Sequence, residues 1–122
     1  MILATPAGEP HVVALQMAGN LLTAAAYWIL MLGANVRADA LAACVRRHRP
    51  EVICLSATMP DRAGEMLRSV HRVRQELPAA QFVVGSRGLH AQMRMQPGIQ
   101  LRQRVSKVVE AVDASVKRAG LN

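Results

Sequence analysis

Short apolar runs alternate along the chain with longer segments of helical period, and this alternation limits the folds that are available. The runs predict five strands, at residues 1–4, 27–32, 52–55, 81–84 and 99–101. Strands that are apolar on both faces and separated by helices indicate a parallel sheet covered on both sides. We therefore predict one α/β domain over residues 1–122, with a flavodoxin-like (Rossmann-like) five-stranded parallel sheet, strand order 2-1-3-4-5, and helices on both faces.

Four segments between or after the strands predict helices. They cover residue 11 or 12 to 25, residues 37–47, residues 61–77 with Asp61 as the N-cap, and a last segment that ends at Gly120. A turn is expected at residues 33–35 and a short helical stretch at 89–95. The last helix is marked by a valine stripe, formed by Val105, Val108, Val109, Val112 and Val116.

Residues 12–32 carry no charge, and the stretch is long enough to cross a membrane if it were one helix. Polar residues interrupt the stretch, and its second half is typical of a strand, so we predict a buried helix followed by a buried strand that contains Trp28. No basic segment precedes it, which argues against a signal peptide. Cys44 and Cys54 lie among apolar residues and indicate small core residues in a reducing compartment. We expect a cytoplasmic protein without a membrane partner.

Arginine supplies most of the formal net charge of +7. Two clusters, Arg46 to Arg49 and Arg68 to Arg74, are candidate surfaces for phosphate, an acidic protein or nucleic acid, or are simply solvated helix faces. Single-stranded nucleic acid usually needs aromatic stacking platforms. Only Tyr27, Trp28 and Phe82 are aromatic, so this partner is disfavoured.

Ligands of such sheets bind at the carboxyl ends of the strands, beside the point where the strand order reverses. Here that edge consists of the loops at residues 5–11, 56–61 and 85–88. The sequence has no Walker A pattern, no dinucleotide-binding glycine motif, no zinc-ligand spacing and no nucleophile elbow. A phosphoacceptor receiver domain would need acidic residues where this chain has Thr5-Pro6 and Ser56.

The loop Gly8-Glu9-Pro10-His11 combines a flexible residue, a carboxylate and an imidazole directly before a helix. A neutral imidazole is a good ligand for a transition metal, and a ligating His usually gives its other N–H to a carboxylate such as Glu9. The alternative is a structural His at a helix start, with Glu9 favoured by the helix dipole.

Together, three loops resemble the cobalamin-binding domain of corrinoid-dependent mutases, methyltransferases and light-responsive regulators. They are the loop that contains Glu9-x-His11, Ser56-Ala57-Thr58 after the third strand, and Val83-Val84-Gly85-Ser86 after the fourth. The resemblance covers essentially the whole chain. Residues 5–11 and 32–36 look most like the regulator branch, which includes MerR-type light-sensing repressors and related antirepressors.

The resemblance implies a role for each matching residue. His11 would be the lower axial ligand of cobalt, in place of the cofactor's dimethylbenzimidazole base, and Glu9 would hold the His11 ring. The displaced nucleotide tail would lie in a slot, here called the tail slot, that Ser56 and Thr58 line and where Gly85 and Ser86 let the tail approach the backbone of the fourth strand. The resemblance implies that nine residues contact the cofactor, namely Gly8, Glu9, Pro10, His11, Ser56, Thr58, Val84, Gly85 and Ser86. At two positions where the family has glycine, this chain has Ala14 and Ser86 instead.

Three functions remain open at this point. The first is a regulatory, light- or cofactor-sensing domain that binds adenosyl-, methyl- or hydroxocobalamin and controls transcription. It would act through a protein partner or an attached DNA-binding domain, so that any contact with DNA is indirect. The second is a corrinoid carrier subunit of a methyltransferase or mutase. The third is an interaction domain with an empty site. We expect no complete active site, hence no enzyme activity of the chain alone, and either an excised domain or a stand-alone binder.

Overall fold

A parallel sheet forms the centre of the molecule in a computed structural model that describes residues 1–58, 60–86, 97–102 and 104–118. Within these residues the strands are β1 (Ile2–Pro6), β2 (Leu30–Val36), β3 (Val52–Ser56), β4 (Gln81–Gly85) and β5 (Ile99–Arg102). Their spatial order is β2-β1-β3-β4-β5, and every neighbouring pair is parallel. The predicted fold class and strand order are therefore confirmed.

Helices cover both faces of the sheet. They are α1 (Val13–Ala24), α2 (Ala38–His48), α3 (Ala63–Glu76) and α4 (Val108–Arg118), with 3-10 turns at Pro60–Arg62 and Val105–Lys107. One apolar cluster joins the sheet to α2 and α3, and a second joins it to α1 and α4. The chain thus has the two-sided burial that its apolar strands predict.

The strands divide their side chains between the two clusters, because successive residues of a strand point to opposite faces. In β3, Ile53 packs towards α2 and α3, whereas Cys54 packs towards α1 and α4. Burial raises the pKa of the Cys54 thiol to about 12, so it is a protonated core residue at neutral pH. Both cysteines are unpaired and pack against the core, as predicted.

The second strand differs from its prediction. It spans Leu30–Val36 rather than residues 27–32, and Gly33 and Asn35 lie inside it with positive φ angles instead of forming a turn. It lies at the sheet edge and is partly exposed, because it pairs with β1 alone. Trp28 precedes it in a loop and is 91% exposed. An apolar run does not reveal whether its strand will be central or at an edge.

Two helix predictions also need correction. Helix α1 is not buried all round, because Val13, Met17 and Leu21 are exposed along one line at i, i+4 and i+8. Asp61 is not an N-cap but lies in the 3-10 turn before α3. The stretch at residues 89–95 and Gly120 lie outside the described residues. In the described part of the chain, no helix is long and apolar enough to span a bilayer.

Much of the basic charge on α2 and α3 is paired across the helices or along them. Arg72 binds Asp39 at 3.1 Å and Glu76 at 3.2 Å, and Arg46 lies 3.8 Å from the same Glu76. Arg68 pairs with a glutamate one turn earlier on α3. Exposed pairs of this kind add little stability, and they offset only part of the positive charge of these two solvated helices.

One bond ties the loop before β2 to α4. The Tyr27 hydroxyl donates to Asp113, and this bond, with burial and the carboxylate's charge, raises the pKa of Tyr27 to about 12. The raised pKa means that the bond contributes to stability below pH 10 and is lost as the pH rises through 12.

Tyr27 is the only tyrosine of the chain, so its titration is directly measurable. We expect ultraviolet absorbance to give a tyrosine pKa well above the ordinary value of about 10. The Asp113→Asn variant removes the acceptor's charge and should titrate closer to that value. Identical titration curves for the two proteins would contradict the bond.

Candidate functional site

The loop between β1 and α1 makes a tight turn that brings Glu9 back over the end of β1. Gly8 has φ +84, a conformation that glycine adopts readily. The Glu9 N–H donates to the Pro6 carbonyl at 3.0 Å, and the Gly8 N–H donates to the Asn35 side chain at 2.7 Å. One of these hydrogen bonds lies within the loop and the other joins it to strand β2, and together they fix the turn.

Thr5 supports this loop from below. Its buried hydroxyl donates to the Glu9 carbonyl at 2.7 Å and accepts the Asn35 N–H at 2.8 Å. Asn35 reaches this position because β2 is irregular there, with φ +56 at Asn35 and shifts in its register with β1. The distortion of β2 thus positions the loop that carries His11.

The Glu9 carboxylate is fully buried, although it follows an exposed turn. One oxygen, Oε1, accepts the Thr58 N–H at 2.5 Å and lies 3.2 Å from the Thr58 hydroxyl. The other, Oε2, lies 2.7 Å from Nδ1 of His11. A buried carboxylate needs such bonds to offset its lost hydration, so Glu9 ties the loop after β3 to the His11 ring.

The His11 side chain is 57% exposed and contacts both Glu9 and Thr58. Its Nδ1 lies within hydrogen-bond distance of Glu9 and, at 3.0 Å, of the Thr58 hydroxyl. When Nδ1 carries the proton and donates to the carboxylate, Nε2 of the neutral ring holds the lone pair that a metal needs. Helix α1 starts at Val13 without an acidic residue in its first turn, so Glu9 binds the ring and Thr58 rather than acting on the helix dipole.

A cleft of about 720 Å³ lies beside this loop, between α1, the carboxyl ends of β3, β4 and β5, and the start of the last helical segment. Its size falls within the range of small-molecule sites. Apolar residues of both helices and of the sheet form much of its wall, namely Leu15, Met17, Ala18, Cys54, Val83 and Val108. Thr58 belongs both to the cleft and to the contacts of Glu9, so the two features form one site.

The predicted tail-slot residues meet in this cleft. Ser56 is paired with Gly85 in the β3–β4 register, and both line the cleft with Thr58 and Ser86. A Cβ atom added at Gly85 would come no closer than 3.9 Å to its protein neighbours. The protein's own packing therefore does not require glycine here, and its absent side chain leaves room for a ligand.

Other predicted residues lie elsewhere. Val84 packs in the cluster with α2 and α3, on the far face of the sheet, and the adjacent Val83 lines the cleft instead. The expectation for Val84 is corrected by the alternation of side chains along β4. Gly8 and Pro10 shape the loop but are not among the cleft-lining residues, whereas Ala14 is.

Sequence reasoning missed Arg102 and Arg104, which also line the cleft. A signal for them exists, because they directly follow the short strand predicted at residues 99–101 and so fall at the ligand-binding edge. It also missed Thr5 and Asn35 as supports of the loop. No pattern in the sequence distinguishes a threonine that holds a neighbouring loop from one that ends a strand.

The site can supply one metal ligand, the His11 imidazole that Glu9 and Thr58 orient, but not a complete coordination sphere. In the part of the chain that the structure describes, no group of three or more His, Cys, Asp or Glu side chains is arranged to bind a metal ion. A single imidazole suits a metal that arrives with most of its ligands already in place.

Comparisons with known proteins give both a family and a set of similar folds. The family model of the B12 binding domain matches residues 1–112. No curated protein matches the chain. Among solved structures, the methanol:cobalamin methyltransferase complex of Methanosarcina barkeri matches with a TM-score of 0.86 and 16% identity, over 95% of this chain and 45% of that one.

Two further structures match with 16% identity each. A cobalamin-binding protein from Desulfitobacterium hafniense has a TM-score of 0.80 over 94% of this chain and 58% of its own. The monomethylamine corrinoid protein of Methanosarcina barkeri has a TM-score of 0.72 over 96% of this chain and 56% of its own. The chain thus spans about half the length of these structures. They share its fold and are corrinoid or cobalamin-binding proteins, which gives no support to the finer expectation of a light-responsive regulator.

The support that Thr5 gives to the loop is testable by removing its hydroxyl. Thr5→Val keeps the side-chain volume but leaves the Glu9 carbonyl and the Asn35 N–H without this partner. The Asn35 N–H keeps a 3.2 Å bond to the Glu9 carbonyl, so neither group is left unpaired. Two hydrogen bonds worth about 0.5–1.5 kcal/mol each are lost, and we expect urea unfolding to show a loss of about 1–3 kcal/mol. Thr5→Ser retains the hydroxyl and is the control. Equal stability of the valine and serine variants would show that the hydroxyl does not support the loop.

Proposed function

Because the chain belongs to the B12-binding domain family, we propose that it acts as a corrinoid carrier, which binds cobalamin through His11 and presents it to a separate protein. The family membership confirms the predicted family and its predicted cofactor, cobalamin. Between the two cofactor-based functions that the sequence left open, the similar structures favour the carrier over the transcriptional regulator, since they include a methyltransferase complex and a corrinoid protein.

The contact of Glu9 with His11 and Thr58 is the observation that carries this proposal. It fixes the Nδ1 side of the imidazole through a buried carboxylate, while the ring itself is more than half exposed. A hydrogen bond from a ligating His to a carboxylate orients the ring and raises its basicity. His11 is thus prepared to give Nε2 to a metal that approaches from the carboxyl edge of the sheet.

The adjoining cleft fits the displaced tail of the cofactor. Its apolar wall suits a flat aromatic base, and the hydroxyls of Ser56 and Thr58 at its edge offer hydrogen bonds. A bound tail would be held in this cleft between α1 and the sheet, with Ser56 and Thr58 offering it hydrogen bonds. The Ala14 methyl group is a small addition within the cleft wall, and we expect it to be tolerated.

Bound cobalamin supplies a cobalt–carbon bond that can carry an alkyl group between two substrate sites. The residues of this chain bind and orient the cofactor, and we propose that the chain alone is not an enzyme. His11 lies at an exposed edge of the molecule, so a partner can reach the region beside it. The substrate site would belong to that partner.

The carrier proposal is tested with protein loaded with chemically reduced cob(I)alamin, methanol as the methyl donor and a corrinoid-dependent methyltransferase of the methanol type. We expect the methyl group to pass from methanol to the cobalt, with a proton taken up and water released, only when both proteins are present. The visible spectrum should then change from that of cob(I)alamin to that of methylcobalamin. Bound cobalamin without transfer, combined with light-dependent affinity for a transcriptional regulator, would support the regulatory function instead. Protein that retains no cobalamin through gel filtration would contradict both functions and favour the empty-site interpretation.

His11→Ala should shift bound cobalamin to a form without protein-derived nitrogen ligation or abolish binding, because the ligating nitrogen is removed. Absorption spectra and titrations with hydroxocobalamin measure this. Glu9→Gln keeps His11 but weakens its support, so we expect a loss of about 10- to 100-fold in affinity rather than a change of ligand. An unchanged spectrum in the His11 variant would rule out His11 as the metal ligand.

Ser56→Leu should fill the tail slot while the fold survives, because Ser56 ends β3 at the cleft wall. Cobinamide, which lacks the nucleotide, is the matched probe. We expect isothermal titration to show weaker cobalamin binding with little change for cobinamide. The slot assignment fails if the variant binds both corrinoids equally poorly while its thermal unfolding is unchanged.

A further inference from the structure

The cleft has one positively charged side, at the end of β5. The sheet register places Ser56 beside Gly85 and Gly85 beside Arg102, so the arginine stands in the same row as the two tail-slot residues. The Ser86 N–H donates to the Arg102 carbonyl at 3.2 Å, which holds the two strand ends together. Arg104 follows at the start of the last helical segment and lines the same cleft.

The Arg102 guanidinium is held by neutral groups. It donates to the Leu101 carbonyl at 2.9 Å and to the Gln100 side-chain oxygen at 3.0 Å, and the residue is only partly exposed. These bonds orient the side chain without neutralising its charge. Within the described residues, neither Arg102 nor Arg104 forms an ion pair, in contrast to Arg72 on the opposite face.

The described lining of the cleft also contains no aspartate or glutamate. Two cations therefore border a largely apolar cavity whose described lining gives them no carboxylate to pair with. Such a cavity favours a ligand with an apolar body and one negative group, since the apolar wall takes the first and the guanidinium groups take the second.

We propose that Arg102 and Arg104 bind the phosphodiester of the cofactor's nucleotide tail and thereby make the cleft selective for corrinoids that carry a complete nucleotide. This inference rests on the proposed binding of cobalamin at the same site. The phosphodiester is the anionic group of that tail, and guanidinium groups match phosphate oxygens in geometry as well as charge. Arg102 supplies an oriented donor at the slot, and Arg104 adds a second cation at its rim.

The experiment compares the dissociation constants of cobalamin and cobinamide for wild-type protein, Arg102→Met and Arg104→Met. We expect wild type to prefer cobalamin. Each variant should lose about tenfold in cobalamin affinity, because a charge-assisted bond is removed, and should keep its affinity for cobinamide. Added salt should weaken cobalamin binding by wild type more than by a double variant that carries both Arg102→Met and Arg104→Met.

Arg47→Met is the matched control. It removes one exposed arginine from α2, on the other face of the sheet, and should bind both corrinoids as wild type does. Arg102→Lys retains the charge and should recover part of the affinity that Arg102→Met loses. Thermal unfolding of each variant shows whether the fold is intact.

The outcomes separate this inference from the function on which it rests. If wild type binds neither corrinoid, the proposed function fails. If wild type binds cobalamin and both arginine variants bind it equally well, the function stands and the phosphate assignment is wrong. If Arg102→Met weakens cobalamin and cobinamide to the same extent, Arg102 supports the slot rather than the phosphate, which overturns its assignment.

Discussion

The buried carboxylate of Glu9 is the constraint on which the site depends. Removing a carboxylate from water is costly unless its oxygens gain strong hydrogen bonds, and here one oxygen takes Thr58 and the other takes His11. These bonds join two loops that follow different strands. The position of His11 is therefore set by the relative position of β1 and β3 as well as by its own loop.

The parallel sheet makes this arrangement available. Strands β1 and β3 are neighbours although a strand and two helices separate them in sequence, and so the loops that follow them meet at one edge. The same geometry brings the ends of β4 and β5 to that edge, which places Gly85 and Arg102 beside Ser56. The loop that carries His11 and an apolar cleft with a charged rim thus arise from one repeated connection.

Much of this site was predictable from sequence, and the limits have physical causes. Strands β1, β3 and β4 are buried on both faces, so their continuous apolar runs identify them, and loop order then brings Glu9, His11 and Ser56 together. The sequence predicts strand β2 at residues 27–32, too early in the chain, because the apolar run includes the exposed loop with Trp28 and carries no information about pairing partners. The motif predicts a cofactor contact for Val84, because it names neighbouring residues without indicating which side of the strand each one faces.

The irregular edge strand shows how an apparent local defect supports the candidate site. A regular β2 would keep Asn35 in extended conformation, but its positive φ lets the backbone N–H reach Thr5 while its side chain accepts the Gly8 N–H. An edge strand tolerates this distortion, because only one of its sides pairs within the sheet. The edge position that makes β2 hard to predict therefore also allows it to hold the His11 loop. A central strand with the same distortion would lose hydrogen bonds to both of its neighbours.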